Sequence, residues 1–305
     1  MATTVTAPVG NTIGLAEKYL PLLDEKYVYT SRSAILDTAS EYVRFTGANT
    51  VKLFELDLVG MGNYDRNAGF VPGDITGIWR DYVLNTDRGR SYMLDYLDND
   101  ETLGLMVANT LSQAEALHIV PEVDAFRFAE YAAGAGNVAT PAAISSGSAA
   151  VAAIDAATVA MDDDEVPYEG RILFVTPTIY GYLKAGITRM VMNDDRNVNY
   201  NVDIYNDMRV ITVPQKRFYT AIDLAAPTTS AGTGGYSKDA AATDINFMII
   251  HPSAVMQVMK HYAPRFFSPA QNIEADAWLV QPRFAHGAWV KHNKADGIYL
   301  HASTT

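Results

Sequence analysis

The sequence predicts an α+β fold in which a projecting strand pair and one long helix precede a mixed α/β block and closing strands. Three observations predict it. In residues 50–58, Phe54, Leu56 and Leu58 alternate with Glu55 and Asp57, the period of two that marks a strand with one apolar face. A turn-rich stretch from Gly60 to Gly77 then separates this run from a second extended run over about 78–97, where Tyr92, Leu94 and Tyr96 alternate with Met93, Asp95 and Leu97. Beyond it Leu103, Met106, Val107, Leu111, Ala114 and Leu117 recur at helical spacing.

Taken in order, residues 1–14 are small, polar and uncharged and read as an arm. Leu15, Tyr19, Leu22 and Leu23 follow on one helical face, with Pro21 inside it predicting a kink or break. Residues 24–45 mix charge with Tyr27, Tyr29, Ile35, Leu36, Tyr42 and Val43 and read as an extended arm with short pieces of structure. The two extended runs and the glycine-rich stretch between them predict a long hairpin. A loop of that length and composition is either functional or disordered. Asp98 and Glu101 fit a capping box at the start of the long helix. Pro121 should kink or restart it, and Gly134 and Gly136 end it.

The α/β block begins with an alanine-rich helix over Ala149–Met161, closed by Asp162, Asp163, Asp164, Glu165 and Pro167. Ile172–Val175 reads as a short buried strand, and Thr176 caps a helix whose first residue is Pro177. Met208–Val213 reads as a strand, residues 225–243 as a surface loop, and Phe247–Ile250 as a strand. Pro252 to about Tyr262 reads as a turn or short helix, and the tail from 277 to 301 as strands.

Composition narrows the chemistry. The chain has 305 residues, 49% of them hydrophobic and 19% charged, enough apolar mass for a core. It has no cysteine, so disulfides, thiolate metal sites and cysteine nucleophiles are excluded. The 23 Lys and Arg against 35 Asp and Glu give a formal charge of −12, and tight binding to a nucleic-acid backbone needs clustered cations. That acidity serves solubility, or keeps a surface near nucleic acid from sticking to it. The N-terminus has neither the basic nor the apolar region of a signal peptide, and no apolar run approaches a membrane span. The expectation is a soluble chain made in the cytoplasm.

Catalytic and cofactor motifs are missing. None of His118, His251, His261, His286, His292 and His301 belongs to an HExxH pair. Gly134-Ala135-Gly136 follows a helix rather than a strand, so the mechanism of the dinucleotide fingerprint is absent. Gly232–Gly235 with Lys238 lacks the order of a phosphate loop. Residues 162–165 lack the spaced ligands and central glycine of a calcium loop, and four acids at a helix C-terminus oppose its dipole. No cofactor, metal or enzymatic activity is expected.

A projecting hairpin cannot bury both faces on its own domain and is normally completed by a neighbouring subunit. That expectation of assembly meets a resemblance. Leu84-Asn85-Thr86-Asp87-Arg88-Gly89-Arg90-Ser91-Tyr92, then Asp95 and Asp98-Asn99-Asp100-Glu101-Thr102, resembles the junction of extended loop and long helix in tailed-phage major capsid proteins. Val120-Pro121-Glu122-Val123-Asp124-Ala125-Phe126-Arg127 is similar to the second part of their long helix. Gly170 to Pro177, Ile211 to Pro214, Ile250 to Val255 and Asp296 to Tyr299 are similar again.

The resemblance implies the Hong Kong 97-type capsid fold: an N-terminal arm (1–45), an extended hairpin loop (46–97), a spine helix of the peripheral domain (98–136), an axial domain (137–245) and closing strands shared by both domains (246–305). It implies a non-enzymatic major capsid protein whose pentamers and hexamers form an icosahedral shell around phage DNA, bound without sequence specificity. Assembly is then expected in the bacterial host cytoplasm, with a portal and a possible decoration protein as partners. Two departures matter. Only ten residues precede Asn11, so the large N-terminal scaffolding segment of some members is expected to be absent, implying a separate scaffolding protein or a processed chain. There is no lysine between Lys52 and Lys184, so the loop lysine of Lys–Asn crosslinked shells does not carry over.

The residues singled out for subunit contacts are Tyr64, Arg66, Phe70, Trp79 and Arg80 on the loop and the cluster Asp87, Arg88 and Arg90. The aromatics would fill apolar notches on a neighbour, and the arginines would fork onto its carboxylates. Alternatively, Trp79 and Tyr82 pack inside their own subunit. An encapsulin-type compartment around protein cargo is the alternative shell, and a hydrolase or binding protein the alternative outside that class.

Overall fold

The computed structural model describes residues 31–37, 50–64, 66–67, 69–70, 72–96, 111–191, 202–226, 234–262 and 264–304. The chain divides into two units, Ala39–Thr86 and Met1–Thr38 with Asp87–Thr305. Most of the expected N-terminal arm and the expected helix start at Asp98–Glu101, with Leu103, Met106 and Val107, lie outside the described residues.

The smaller unit holds the hairpin. Strands β1 (Thr50–Leu58) and β2 (Ile75–Val83) pair antiparallel in unbroken register from Thr50 opposite Val83 to Leu58 opposite Ile75. The second extended run does not continue the hairpin to residue 97, as the alternation suggested. It leaves after Val83 and breaks into β3 (Thr86–Gly89) and β4 (Tyr92–Asp95), which join two different sheets near the C-terminal end of the chain. Alternation reports one buried face and does not say which partner covers it.

In the larger unit the long helix is described from Leu111. It passes through one π turn, Glu115–Ile119, directly into α1 (Val120–Ala133). The helix therefore does not restart at Pro121, and its interruption is the π turn just before the proline. The wider turn before the proline shifts the carbonyls its ring would otherwise strike. Gly134 and Gly136 do end it: a Cβ on Gly136 would lie 2.7 Å from the backbone of Ala295, so the chain crosses there only because the side chain is absent.

After β5 (Asn137–Val138), Ser146 caps α2 (Gly147–Asp163) by accepting from the Ala149 N–H at 3.2 Å. Next come β6 (Ile172–Val175), α3 (Pro177–Val191), β7 (Ile204–Tyr205) and β8 (Met208–Thr212). The segment read as a loop, 225–243, contains a strand, β10 (Gly235–Lys238), which pairs with β9 (Ile222–Ala225) leading into it. Then come β11 (Ile245–Ile250), β12 (Val255–Tyr262), β13 (Arg265–Phe267), β14 (Ala277–Gln281), β15 (Arg283–Val290) and β16 (Ile298–Ala302). The expected turn or short helix over 252–262 is one turn, Pro252–Ala254, followed by strand β12 paired along β15. Cross-strand packing outweighs weak local preference there.

The core is layered on a six-stranded mixed sheet in the order β5-β16-β11-β6-β8-β7. Ile172 and Phe174 of β6 face Phe128 and Tyr131 of α1, while Leu173 and Val175 face Ile154, Met161 and Leu183 of α2 and α3. Both faces are covered, which is why β6 and β11 are nearly continuous apolar runs. Each such fully buried side chain contributes about 1.5–3 kcal/mol. Two three-stranded sheets, β12-β15-β3 and β13-β14-β4, complete the unit. Among the described residues no helix is long and apolar enough to cross a membrane.

Candidate assembly surfaces

The hairpin sorts its side chains by register. Opposite residues of an antiparallel pair share a face, so Phe54 with Trp79, Leu56 with Gly77 and Leu58 with Ile75 build one apolar face. All five of those apolar side chains are exposed, Trp79 at 62%. The Trp79 ring lies 5.1 Å from that of Phe54, between centroids. Gly77 gives the Phe54 ring its place, since a Cβ there would lie 2.6 Å from the ring. Trp79 thus touches Phe54 of its own hairpin while most of it stays exposed. Arg80 lies on the opposite face and donates from Nε to Glu55 at 2.6 Å, closing a pair within the hairpin.

The loop beyond carries the other aromatics. Tyr64 and Phe70 pack against each other at 4.8 Å and are exposed, Phe70 at 88%. Arg66 is exposed on the same loop. Tyr64 and Phe70 thus supply exposed apolar surface, the pattern of a patch that meets a partner.

The cluster after the hairpin behaves differently. Arg88 was expected to reach a neighbour's carboxylate. It instead forks onto Glu122 of α1 at 2.7 and 3.3 Å and donates to the carbonyls of Ala225 and Gly235 at 2.7 and 3.2 Å. Its guanidinium fastens the β9–β10 hairpin to α1 and is used inside its own chain. Asp87 accepts from Arg283 at 3.0 and 2.6 Å in an exposed pair. Arg90 is half-buried at the edge of a cleft of about 490 Å³, together with Arg265, Gln281 and Arg283.

Sequence reasoning missed a buried polar knot. Asp124 of α1 is fully buried. It accepts from Ser31 Oγ at 2.7 Å, Arg32 N at 2.9 Å, Ser33 N at 3.3 Å, Ser33 Oγ at 2.7 Å and Arg217 at 3.1 Å. Buried Arg127 donates to Ser33 Oγ at 2.9 Å, and Gln257 donates to the Ser33 carbonyl at 3.0 Å. Residues 31–37 are thereby tied across α1, with Leu36 in the main core. The one available signal was an acid inside an apolar helical stretch. His286 was missed too. It is buried between Phe284, stacked at 5.5 Å, and Phe126, T-shaped at 4.9 Å, and neither ring nitrogen has a hydrogen-bond partner among the described residues. Burial, with Arg127 and Arg88 adding to it, pushes its pKa down to about 3.

No family model and no curated protein matches the chain. Solved structures match its fold. The capsid structure of Cyanophage P-SCSP1u superposes with a TM-score of 0.58 at 13% identity, covering 86% of this chain and 85% of that one. The asymmetric unit of the bacteriophage PhiM1 mature capsid gives 0.58 at 15% identity, covering 85% and 83%. The virus-like particle from Pyrococcus furiosus gives 0.56 at 10% identity, covering 94% and 99%. With its hairpin, long helix and layered mixed sheet, the chain has the Hong Kong 97-type capsid fold of the phage capsids it matches.

Proposed function

We propose that this chain is a major capsid protein whose copies assemble as pentamers and hexamers into an icosahedral shell around phage DNA, without catalytic activity. The observation that carries the proposal is the β1–β2 hairpin, whose apolar face is open in the single chain. A two-stranded ribbon with such a face is marginal alone, and laying it on a neighbour would remove that surface from water. In this reading Tyr64, Phe70 and Trp79 anchor the contact, with Arg66 at its rim. Residues 98–136 are the spine of the peripheral domain, 137–245 the axial domain whose tips meet at capsomer centres, and 246–305 the closing strands. A separate scaffolding protein, a portal and a decoration protein are the partners this role calls for, with assembly in the host cytoplasm.

Sedimentation and negative-stain imaging test it. Expressed with its scaffold, the chain is expected to form megadalton particles; alone, it is expected to give capsomers, tubes or irregular shells, since head-to-tail contacts either close or continue. A chain that stays monomeric with its scaffold present would overturn the proposal. The likeness to the Pyrococcus virus-like particle favours a second reading, a shell enclosing protein. The contents of purified particles, DNA or a protein cargo, decide between the two.

A further inference from the structure

We infer that the tip of the β13–β14 hairpin of one copy docks in an arginine-lined cleft at the base of the same hairpin in a second copy, a contact that presupposes the self-assembly proposed above. The cleft forms where two strand pairs change sheet together. β3 passes to β4 at Arg90 and Ser91, and β14 passes to β15 at Pro282, with Arg90 N donating to the Pro282 carbonyl at 3.2 Å. Arg90, Arg265 and Arg283 border it against a single carboxylate, Asp87, on a chain whose formal charge is −12. Arg283 already forks onto Asp87, and the opening, with three guanidinium groups against one carboxylate, still favours a further carboxylate.

The tip offers carboxylates on a stiff support. Ser268 and Gln271 close a reciprocal capping box, Asn272 donates to the Ala277 carbonyl at 3.0 Å, and Glu274 N donates to Asn272 Oδ1 at 3.1 Å. This braced loop presents Ile273, fully exposed at 100%, beside exposed Glu274 and Asp276. A large apolar side chain held wholly in water is costly unless a partner covers it. The tip cannot reach its own cleft. Arg265 pairs with Gln281 at the base, and β13 runs away from them for roughly 10 Å before the loop begins. Each chain thus carries one knob and one complementary socket, the arrangement of a head-to-tail contact between copies.

The absence of native cysteine allows a clean test. Chains carrying Arg265→Cys and chains carrying Glu274→Cys are assembled together and treated with a short bis-maleimide. The expected product is a dimer at twice the 33.3 kDa chain mass, formed in the mixture and in neither variant alone. In parallel, Arg265→Glu and Glu274→Arg are each expected to lower particle yield about tenfold or more through like-charge contact, and to restore it when combined in one chain. Thermal melting checks that each variant folds. A dimer in the mixture supports the contact whether or not shells close. Shells that form normally yet give no dimer, or a double variant no better than either single one, overturn it and leave the capsid reading standing.

Discussion

Asp124 shows what one buried charge does here. Five donors converge on its carboxylate, four of them from residues 31–33. Removing one member of such a buried set leaves the rest unpaired, a penalty larger than the net worth of any one bond. Asp124→Asn keeps the shape but turns an amide donor toward other donors. It is expected to cost about 1–3 kcal/mol and to loosen residues 31–37. The measurement is a melting curve beside limited trypsin digestion at Arg32, with faster cleavage in the variant. Unchanged melting and cleavage would show that the knot holds nothing.

His286 sets a pH dependence at the same scale. Its folded pKa is about 3, against 6.5 for the free side chain. Between those values the unfolded chain binds the proton and the folded chain does not, so stability is complete above about pH 6.5 and falls as pH drops toward 3. The slope is about 1.4 kcal/mol per pH unit. From pH 7.5 to 5, His286→Leu is expected to lose about 2 kcal/mol less than the parent chain in urea titrations. Parallel losses in both proteins would refute the assignment.

At the scale of elements, the hairpin and the loop it carries are separable from the core. Replacing the loop between Leu58 and Ile75 with Asn-Gly preserves the register of the strands and supplies a turn that suits them. Because surface loops cost little to shorten, the melting temperature of the subunit is expected to move by only a few degrees while shells fail or become fragile. Trp79→Ala is expected to give a milder defect, about 2–4 kcal/mol per interface. Circular dichroism and electron microscopy on the same sample read both effects. Normal shells would refute the assembly role, and an unfolded subunit would assign the loop to the core.

Over the whole molecule, locking is expected to be non-covalent. The chain has no cysteine, and no lysine falls between Lys52 and Lys184. Mature shells are expected to dissolve in hot SDS to one band near 33.3 kDa. A ladder that survives boiling would reveal a crosslinking pair elsewhere in the chain.

Local periodicity made most elements legible: the alternation at Phe54–Leu58, the helix around Phe126 and Tyr131, and the Thr176-Pro177 helix start each correspond to an observed element. Composition likewise excluded cysteine chemistry outright. Partner choice was not legible. Alternation in Tyr92–Asp95 marked a strand, but only the fold decided that it pairs with residues 277–280 rather than with the hairpin. Arg88 belonged to a charged cluster in the sequence, yet its acceptors lie 34, 137 and 147 residues away. Ser33 and Asp124 meet across 91 residues. The physical reason is common to all three. Backbone period and caps are set by neighbours within a turn or two, whereas a buried charge or a strand edge is satisfied by whatever group the packed chain delivers to it.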